Sequence, residues 1–193
     1  MNNTDNILLS ASNSEKVIEI NHLKKYFNGN RVLEDINMVL HRDETIVVLG
    51  KSGIGKSVLI KCIIGLIKPD EGSLKVFGKE ISEMNAKALN DMRTKVGFLF
   101  QGNALYDSMS VRENLEFPLR RNKAIHDPYV IEGLIVEVLE SVGLLDTIDK
   151  MPSELSGGMQ KRIALARTLI LKPEIILYDE PTTGLDPITA REI

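Results

Sequence analysis

A glycine-rich segment near the start of the chain has the residue types that bind nucleotide phosphates. Residues 50–57 match the pattern G-x-x-x-x-G-K-[ST]. The glycines let several backbone N–H groups converge on an anion, and Lys56 adds a charge for the β- and γ-phosphates. The Ser57 hydroxyl is a hard ligand for Mg²⁺, so ATP with Mg²⁺ is the expected ligand. The residues expected to contact it here are Gly50, Lys51, Ser52, Gly53, Ile54, Gly55, Lys56, Ser57 and Val58.

Two adjacent carboxylates follow an apolar run late in the chain. Asp179 and Glu180 come directly after residues 175–178, which read Ile-Ile-Leu-Tyr. Such a run predicts a buried strand, and parallel sheets bind ligands at the carboxyl ends of their strands. We expect Asp179 to hold Mg²⁺ through water, and Glu180 to act as general base or to orient water for attack on the γ-phosphate. Taken alone, the pair would also fit a solvated turn before Pro181.

A second candidate anion site lies where residues 155–159 read Leu-Ser-Gly-Gly-Met. Ser156 offers a hydroxyl, and Gly157 and Gly158 offer bare backbone N–H groups. The helix predicted to follow presents the positive end of its dipole to the same point. The alternative is an ordinary capped helix with a glycine turn. The chain thus holds two segments that suit phosphate.

Apolar patterns predict the elements that position these segments. Alternation indicates antiparallel strands, β-branched runs indicate buried parallel strands, and apolar residues every three or four positions indicate helices. A mainly helical subdomain is expected at residues 103–157, with turns at residues 28–30 and 70–73. The predicted strands are residues 17–27, 32–41, 45–49, 74–79, 96–100 and 175–178. The predicted helices are residues 55–65, 84–92, 130–142 and 158–171.

Composition excludes several classes of protein. The chain has 193 residues, 43% of them hydrophobic, and a net charge of −3, which disfavours nucleic acid as a partner. The single cysteine, Cys62, lies in an apolar run and is expected to be a buried, reduced thiol. No window reaches the roughly 18 apolar residues that a membrane helix needs, so we expect the chain in the cytoplasm.

The order of these segments resembles that of ATP-binding cassette (ABC) transporter ATPases. The glycine-rich segment would be the Walker A motif, residues 155–159 the signature loop, and residues 175–180 the Walker B strand with its carboxylates. The resemblance implies an α/β fold with a P-loop NTPase (RecA-like) core, an N-terminal antiparallel β subdomain and an inserted helical subdomain. The domain would cover residues 15–193, and residues 1–14 are expected to form a flexible tail.

The resemblance implies roles for further residues. Gln101 would be the Q-loop glutamine, which reaches Mg²⁺ or the attacking water. Asp186 would belong to the D-loop, which contacts a partner subunit near the active site. Tyr26 lies where the family places an aromatic ring against adenine, with Phe27 as the competing choice.

Members of the family work as head-to-tail dimers, so the resemblance implies a second ATPase subunit, expected to be identical. In that arrangement, Ser156 and Gly158 of one subunit touch the γ-phosphate held by the other. The expected function is ATP hydrolysis that powers a separate integral membrane permease, with the chain peripheral on the inner face of the cell membrane. Residues 99–105, 114–120 and 151–154 are similar to those of ATPases in lipid-trafficking systems of the Mla and Mce types, which predicts a lipid cargo.

The family pattern continues beyond the point where this sequence stops. Family members have a switch histidine on a later strand, whereas His22, His41 and His126 all precede the signature loop. We therefore expect a truncated cassette with exposed apolar surface and reduced turnover. Two alternatives stay open: a soluble ABC ATPase that serves no transporter, and a nucleotide-binding fragment without turnover.

Overall fold

The computed structural model describes residues 14–51, 53–99, 105–122 and 125–179. These residues form a mixed region of strands and helices and a helical region, each with its own hydrophobic core. The strands are β1 (Lys16–Phe27), β2 (Asn30–His41), β3 (Glu71–Val76), β4 (Lys79–Glu80), β5 (Val96–Leu99) and β6 (Ile175–Tyr178). The helices are α1 (Lys56–Ile63), α2 (Ala86–Arg93), α3 (Val111–Arg121), α4 (Pro128–Ser141) and α5 (Gly157–Leu169).

An antiparallel sheet has the strand order β2-β1-β3-β4. The predicted hairpin is confirmed as β1 and β2, and its turn holds Gly29 at a φ of 81°. The turn predicted at residues 70–73 is wrong, because β3 already begins at Glu71. A Cβ on Gly72 would lie 2.4 Å from the His22 carbonyl oxygen, so this glycine permits a close approach of two strands.

Helix α1 packs Leu59, Cys62 and Ile63 into the first core. It begins directly after Gly55, as predicted, and that glycine has a left-handed φ of 106°. Its last helical residue is Ile63, slightly before the predicted end at Gly65. Gly65 has a φ of 68°, which is typical of the residue that terminates a helix.

β5 and β6 form a parallel pair, and both confirm predicted strands. The strand predicted at residues 45–49 is wrong: residues 44–50 have no regular secondary structure, and Leu49 is 88% exposed. A strand needs a hydrogen-bonded neighbour, and no strand among the described residues pairs with this segment. The apolar side chains of Ile46, Val47, Val48 and Leu49 are therefore exposed.

The described parts of the predicted helical region contain α3 and α4, and these helices pack around the second core together with α5, which we assigned to the other part of the domain. In α4, Ile131, Ile135 and Leu139 face this core at helical spacing. α5 also contacts β5, where a Cβ on Gly97 would lie 2.7 Å from Thr168 Cγ2. The domain boundaries stay predictions. No helix within the described ranges is long and apolar enough to cross a lipid bilayer.

Candidate functional site

The glycine-rich segment forms a loop that ends at the start of α1. Gly53 and Gly55 have left-handed φ angles of 81° and 106°, which favour glycine. Gly55 is also buried against β2, where a Cβ would lie 2.7 Å from the Val32 carbonyl oxygen. No larger residue fits at Gly55 unless β2 moves. The spacing of the glycines therefore has a physical cause in this structure.

Lys56 is the first residue of α1, and its ammonium group lies across the loop. Nζ donates to the carbonyl oxygens of Gly50 at 2.7 Å and Lys51 at 3.0 Å. The first N–H groups of a helix have no intrahelical partner and attract anions. The geometry thus brings a cation and a helix N-terminus to one point, which suits a phosphate group.

Ser57 and Asp179 lie far apart in the sequence and meet in the structure. The Ser57 hydroxyl donates to Asp179 Oδ1 at 2.9 Å. Asp179 is buried directly after β6, and a buried carboxylate is costly unless donors or a cation compensate it. A hydroxyl and a carboxylate are the hard oxygen donors that Mg²⁺ prefers, so these residues fit the predicted metal.

The metal would need further ligands from the nucleotide. Within the described ranges, no group of three or more His, Cys, Asp or Glu residues is placed to hold a metal ion. Mg²⁺ is commonly bound by one or two protein ligands together with substrate phosphates. The pair formed by Ser57 and Asp179, beside the phosphate-binding loop, has this character.

Some predicted site residues lie outside the described residues, and their roles stay predictions. β5 ends at Leu99, shortly before Gln101, and β6 is followed by Asp179 and then Glu180. Leu99 pairs with Tyr178 in a parallel register, so both strands reach the same edge of the sheet. The site residues outside the described ranges are Ser52, Gln101, Glu180 and Asp186.

Ser156 caps helix α5, which is the ordinary role kept as an alternative in the sequence analysis. Its hydroxyl oxygen accepts a hydrogen bond from the Met159 backbone N–H at 3.3 Å. Ser156 and Gly157 are both exposed, and a Cβ on Gly157 would meet nothing within 4 Å. The start of α5 is therefore accessible from outside, while anion binding by Ser156, Gly157 and Gly158 stays a prediction.

Tyr26 and Phe27 differ in their surroundings. The Tyr26 hydroxyl donates to Glu71 Oε1 at 3.0 Å, and this bond raises the pKa of Tyr26. Phe27 is 41% exposed, and Lys25 Nζ lies 5.1 Å from the centroid of its ring. The hydrogen bond holds the Tyr26 ring towards β3, which leaves Phe27 the more accessible ring. The contact of either ring with adenine stays a prediction.

No sequence motif pointed to Asn114, a polar residue whose side chain is hydrogen-bonded to residues 106–110. Asn114 lies in α3 and is fully buried. It is a polar residue among the apolar side chains with which α3 faces the second core. The sequence did hold one indication of this buried residue. Asn114 is next to Leu115 and three positions after Val111, so it falls on the apolar face of the helix. Such a residue is costly unless its polar atoms are hydrogen-bonded.

Comparison with known proteins identifies similar sequences. A family profile described as ABC transporter matches residues 33–183. The chain is 46% identical over 171 residues to the probable ribonucleotide transport ATP-binding protein mkl of Mycobacterium tuberculosis H37Rv, covering 89% of this chain and 47% of that protein. It is 37% identical over 177 residues to the intermembrane phospholipid transport system ATP-binding protein MlaF of Haemophilus influenzae, covering 91% of this chain and 66% of that protein. The chain thus spans about half to two thirds of these relatives.

A solved structure shares this fold. The ATP-binding cassette MJ0796, in a dimeric post-hydrolysis state bound to ADP and Pi, superposes with a TM-score of 0.82 at 31% identity. The match covers 91% of this chain and 79% of that chain. The similarity therefore extends over most of both molecules.

Proposed function

Because the chain belongs to the ABC transporter family, we propose that it binds Mg²⁺ and ATP at residues 50–58 and hydrolyses ATP to drive a separate membrane permease. The observation that carries this proposal is the 2.9 Å hydrogen bond between Ser57 and Asp179. It joins the phosphate-binding loop to the end of the predicted Walker B strand. In phosphate-transfer sites of this type, these two parts hold the nucleotide and its metal together.

Each residue of the site has a separate task in the proposed reaction. The loop N–H groups and Lys56 hold the β- and γ-phosphates, while Ser57 and Asp179 hold the metal. Bound Mg²⁺ supplies positive charge that offsets the charge of the phosphate oxygens. Glu180 accepts a proton from the attacking water or orients that water, and Gln101 helps to position it.

The proposed site is completed by a second subunit. Ser156, Gly157 and Gly158 of one subunit would contact the γ-phosphate bound to the other, with Asp186 at the same interface. The exposure of Ser156 and Gly157 supports this arrangement, as does the similarity to a dimeric cassette. Since one chain carries both the loop and the signature, two identical copies would complete two sites.

Lipid is the proposed cargo, and the proposed location is the inner face of the cell membrane beside the permease. The similarity to a relative named for phospholipid transport supports this assignment. The relative named for ribonucleotide transport supports the competing assignment. With the permease in lipid-depleted detergent solution, added phospholipid should stimulate ATP hydrolysis and added ribonucleotides should not. Stimulation by ribonucleotides alone would overturn the lipid assignment.

Turnover by the full-length protein with its permease tests the proposed reaction. Glu180→Gln should lower kcat about a hundredfold or more while ATP still binds, because the water loses the group that activates it. Glu174→Gln is a matched control, since it changes the same residue type at the opposite end of β6. Unchanged hydrolysis in Glu180→Gln would contradict the proposed mechanism.

A further inference from the structure

Asp70, the residue directly before β3, contacts the end of β1 through both oxygen atoms of its side chain. Oδ2 accepts a hydrogen bond from the Tyr26 backbone N–H at 2.6 Å, and Oδ1 accepts one from Lys25 Nζ at 3.1 Å. The Asp70 backbone N–H also donates to the Lys24 carbonyl oxygen at 3.0 Å. A single residue therefore fixes the chain just before the two neighbouring rings of Tyr26 and Phe27, called the aromatic segment below.

The Asp70 carboxylate acts where the ladder between β1 and β3 stops. The last residue pair of that ladder is Lys24 with Glu71. The two strands are antiparallel and β3 begins at Glu71, so the ladder ends before it reaches Tyr26. A backbone N–H needs a partner, and a charged carboxylate makes a stronger one than a carbonyl group does. The side chain of Asp70 thus takes the place of a neighbouring strand at Tyr26.

Lys25 connects Asp70 with the ring of Phe27. The Lys25 side chain is only 13% exposed, and its ammonium group lies 5.1 Å from the centroid of that ring. A cation at this distance is attracted to an aromatic ring. The Tyr26 N–H and then the Lys25 ammonium hold the pKa of Asp70 below its usual range, so this carboxylate is charged at neutral pH. The ion pair therefore helps to fix Phe27 as well as Tyr26.

The aromatic segment lies beside the phosphate-binding loop. Tyr26 pairs with Arg31 across the hairpin, and the next residue of β2 is Val32. The carbonyl oxygen of Val32 lies where a Cβ on Gly55 would approach it to 2.7 Å, so β2 packs directly against the end of the loop. An aromatic ring offers a flat face on which any nucleotide base can stack. The segment is thus placed to contact the base of a nucleotide whose phosphates bind at the loop.

We propose that Asp70 and Lys25 are positioning residues that hold the aromatic segment in the conformation that contacts the base of ATP. This inference rests on the proposed function. It applies whichever ring touches the base, because both rings belong to the segment that Asp70 fixes. A binding segment that is already ordered loses less conformational entropy when the ligand binds, so the effect is on affinity. The phosphates are held by other residues, so the affinity for phosphate alone should not depend on Asp70.

The test compares two ligands of the full-length protein by calorimetric titration with Mg²⁺: ATP, and inorganic tripolyphosphate, which has the phosphates but no base. Asp70→Ala should raise the Kd for ATP about threefold to tenfold, the usual cost of ordering a flexible group on binding, with the Kd for tripolyphosphate within about twofold. Asp70→Asn keeps an oxygen that can accept from the Tyr26 N–H, so its Kd for ATP should lie between those of wild type and Asp70→Ala.

Glu19→Ala is the matched control. It removes another ion-paired carboxylate from the same sheet, near the start of β1, where Glu19 Oε2 accepts a hydrogen bond from Lys16 Nζ at 2.6 Å. This variant should bind both ligands as wild type does. A rise in the Kd for ATP in Glu19→Ala equal to that in Asp70→Ala would show a general weakening of the sheet and would contradict the positioning role.

A second variant covers the case in which Asp70→Ala does not fold. Lys25→Met keeps most of the length and packing of the side chain, so it should fold while it removes the ion pair with Asp70. It should raise the Kd for ATP in the same direction as Asp70→Ala and leave the Kd for tripolyphosphate unchanged. Wild-type affinity for ATP in either variant, or an equal loss of affinity for ATP and tripolyphosphate, would overturn the inference.

Two further titrations separate a failure of the inference from a failure of the proposed function. Wild-type protein should bind both ATP and tripolyphosphate, and Lys56→Ala should weaken the binding of both. If wild type binds neither ligand, the proposed function fails and the inference fails with it. If wild type and Lys56→Ala behave as expected and Asp70→Ala binds ATP as wild type does, only the positioning role is contradicted.

Discussion

The Ser57 hydroxyl donates a hydrogen bond to the Asp179 carboxylate at 2.9 Å, and this contact joins the first turn of α1 to the end of β6. One partner belongs to the phosphate-binding loop and the other to the predicted Walker B strand. Their oxygen atoms are suited to Mg²⁺, and the loop beside them is suited to phosphate. The contact therefore brings the proposed metal ligands beside the loop that is proposed to bind the nucleotide.

Ser57→Ala should weaken ATP binding only when Mg²⁺ is present, because the loop contacts to phosphate stay intact. We expect the Kd for ATP in Mg²⁺ to rise about tenfold to a hundredfold, a loss typical of disturbed metal sites. Calorimetric titration with Mg²⁺ and with EDTA measures both affinities. Ser57→Thr keeps the hydroxyl and should bind as wild type does. An equal loss of affinity in EDTA would argue against a metal role for Ser57.

Gly55→Ala should destabilise the protein by about 1–3 kcal/mol, the usual cost of a strained backbone conformation. The cause is the φ of 106° and the 2.7 Å approach of a Cβ to the Val32 carbonyl oxygen. Gly133→Ala in α4 is the control, because its Cβ would meet nothing within 4 Å. Gly133→Ala should raise the free energy of unfolding by about 0.5–1 kcal/mol, because alanine favours the helical conformation more than glycine does. Urea unfolding measures the stability of both variants. Equal changes in the two variants would contradict the claim that backbone strain and close packing require glycine at position 55.

Phe27→Ala should raise the Kd for ATP about tenfold, because a stacked aromatic ring contributes about 0.5–1.5 kcal/mol beyond its buried area. Tyr26→Phe should leave that Kd near its wild-type value, since it removes only the hydroxyl that bonds to Glu71. Fluorescence titration with a labelled ATP analogue compares the two variants. If Tyr26→Ala weakens binding and Phe27→Ala does not, Tyr26 is the ring that contacts adenine.

The Cys62 thiol should react slowly with iodoacetamide in the native protein at pH 8. Burial raises the pKa of Cys62 to about 11, so on the order of one molecule in a thousand carries the reactive thiolate at that pH. The native rate should rise with pH up to that value, and unfolding in urea should bring rapid labelling at pH 8. Mass spectrometry follows the adduct, and rapid native labelling would show that Cys62 is accessible.

The sequence predicted the parts of the fold that local patterns control. Gly55 and Lys56 marked the start of α1, since a glycine with positive φ and a helix N-terminus leave a local signature. The apolar runs of β5 and β6 predicted strands that do pair with each other. The same logic failed at residues 45–49, because a strand also depends on a neighbour that the run itself does not specify.

The motifs of the candidate site could be predicted from the sequence, whereas the contacts between their residues could not. The sequence named Ser57 and Asp179 separately, but their hydrogen bond depends on how α1 packs beside β6. Asn114 escaped notice, because its role arises from burial and from hydrogen bonds to residues 106–110. Side-chain contacts of this kind have no periodic signature in a single sequence.

The central claim is that the loop around Lys56 binds the phosphates of ATP, and calorimetric titration with Mg²⁺ and ATP tests it most directly. Lys56→Ala should raise the Kd by at least about tenfold, because it removes the cation next to the helix N-terminus. Lys61→Ala, which removes a lysine from the last turn of the same helix, should bind ATP as wild type does. Equal affinity of Lys56→Ala and wild type would contradict the account.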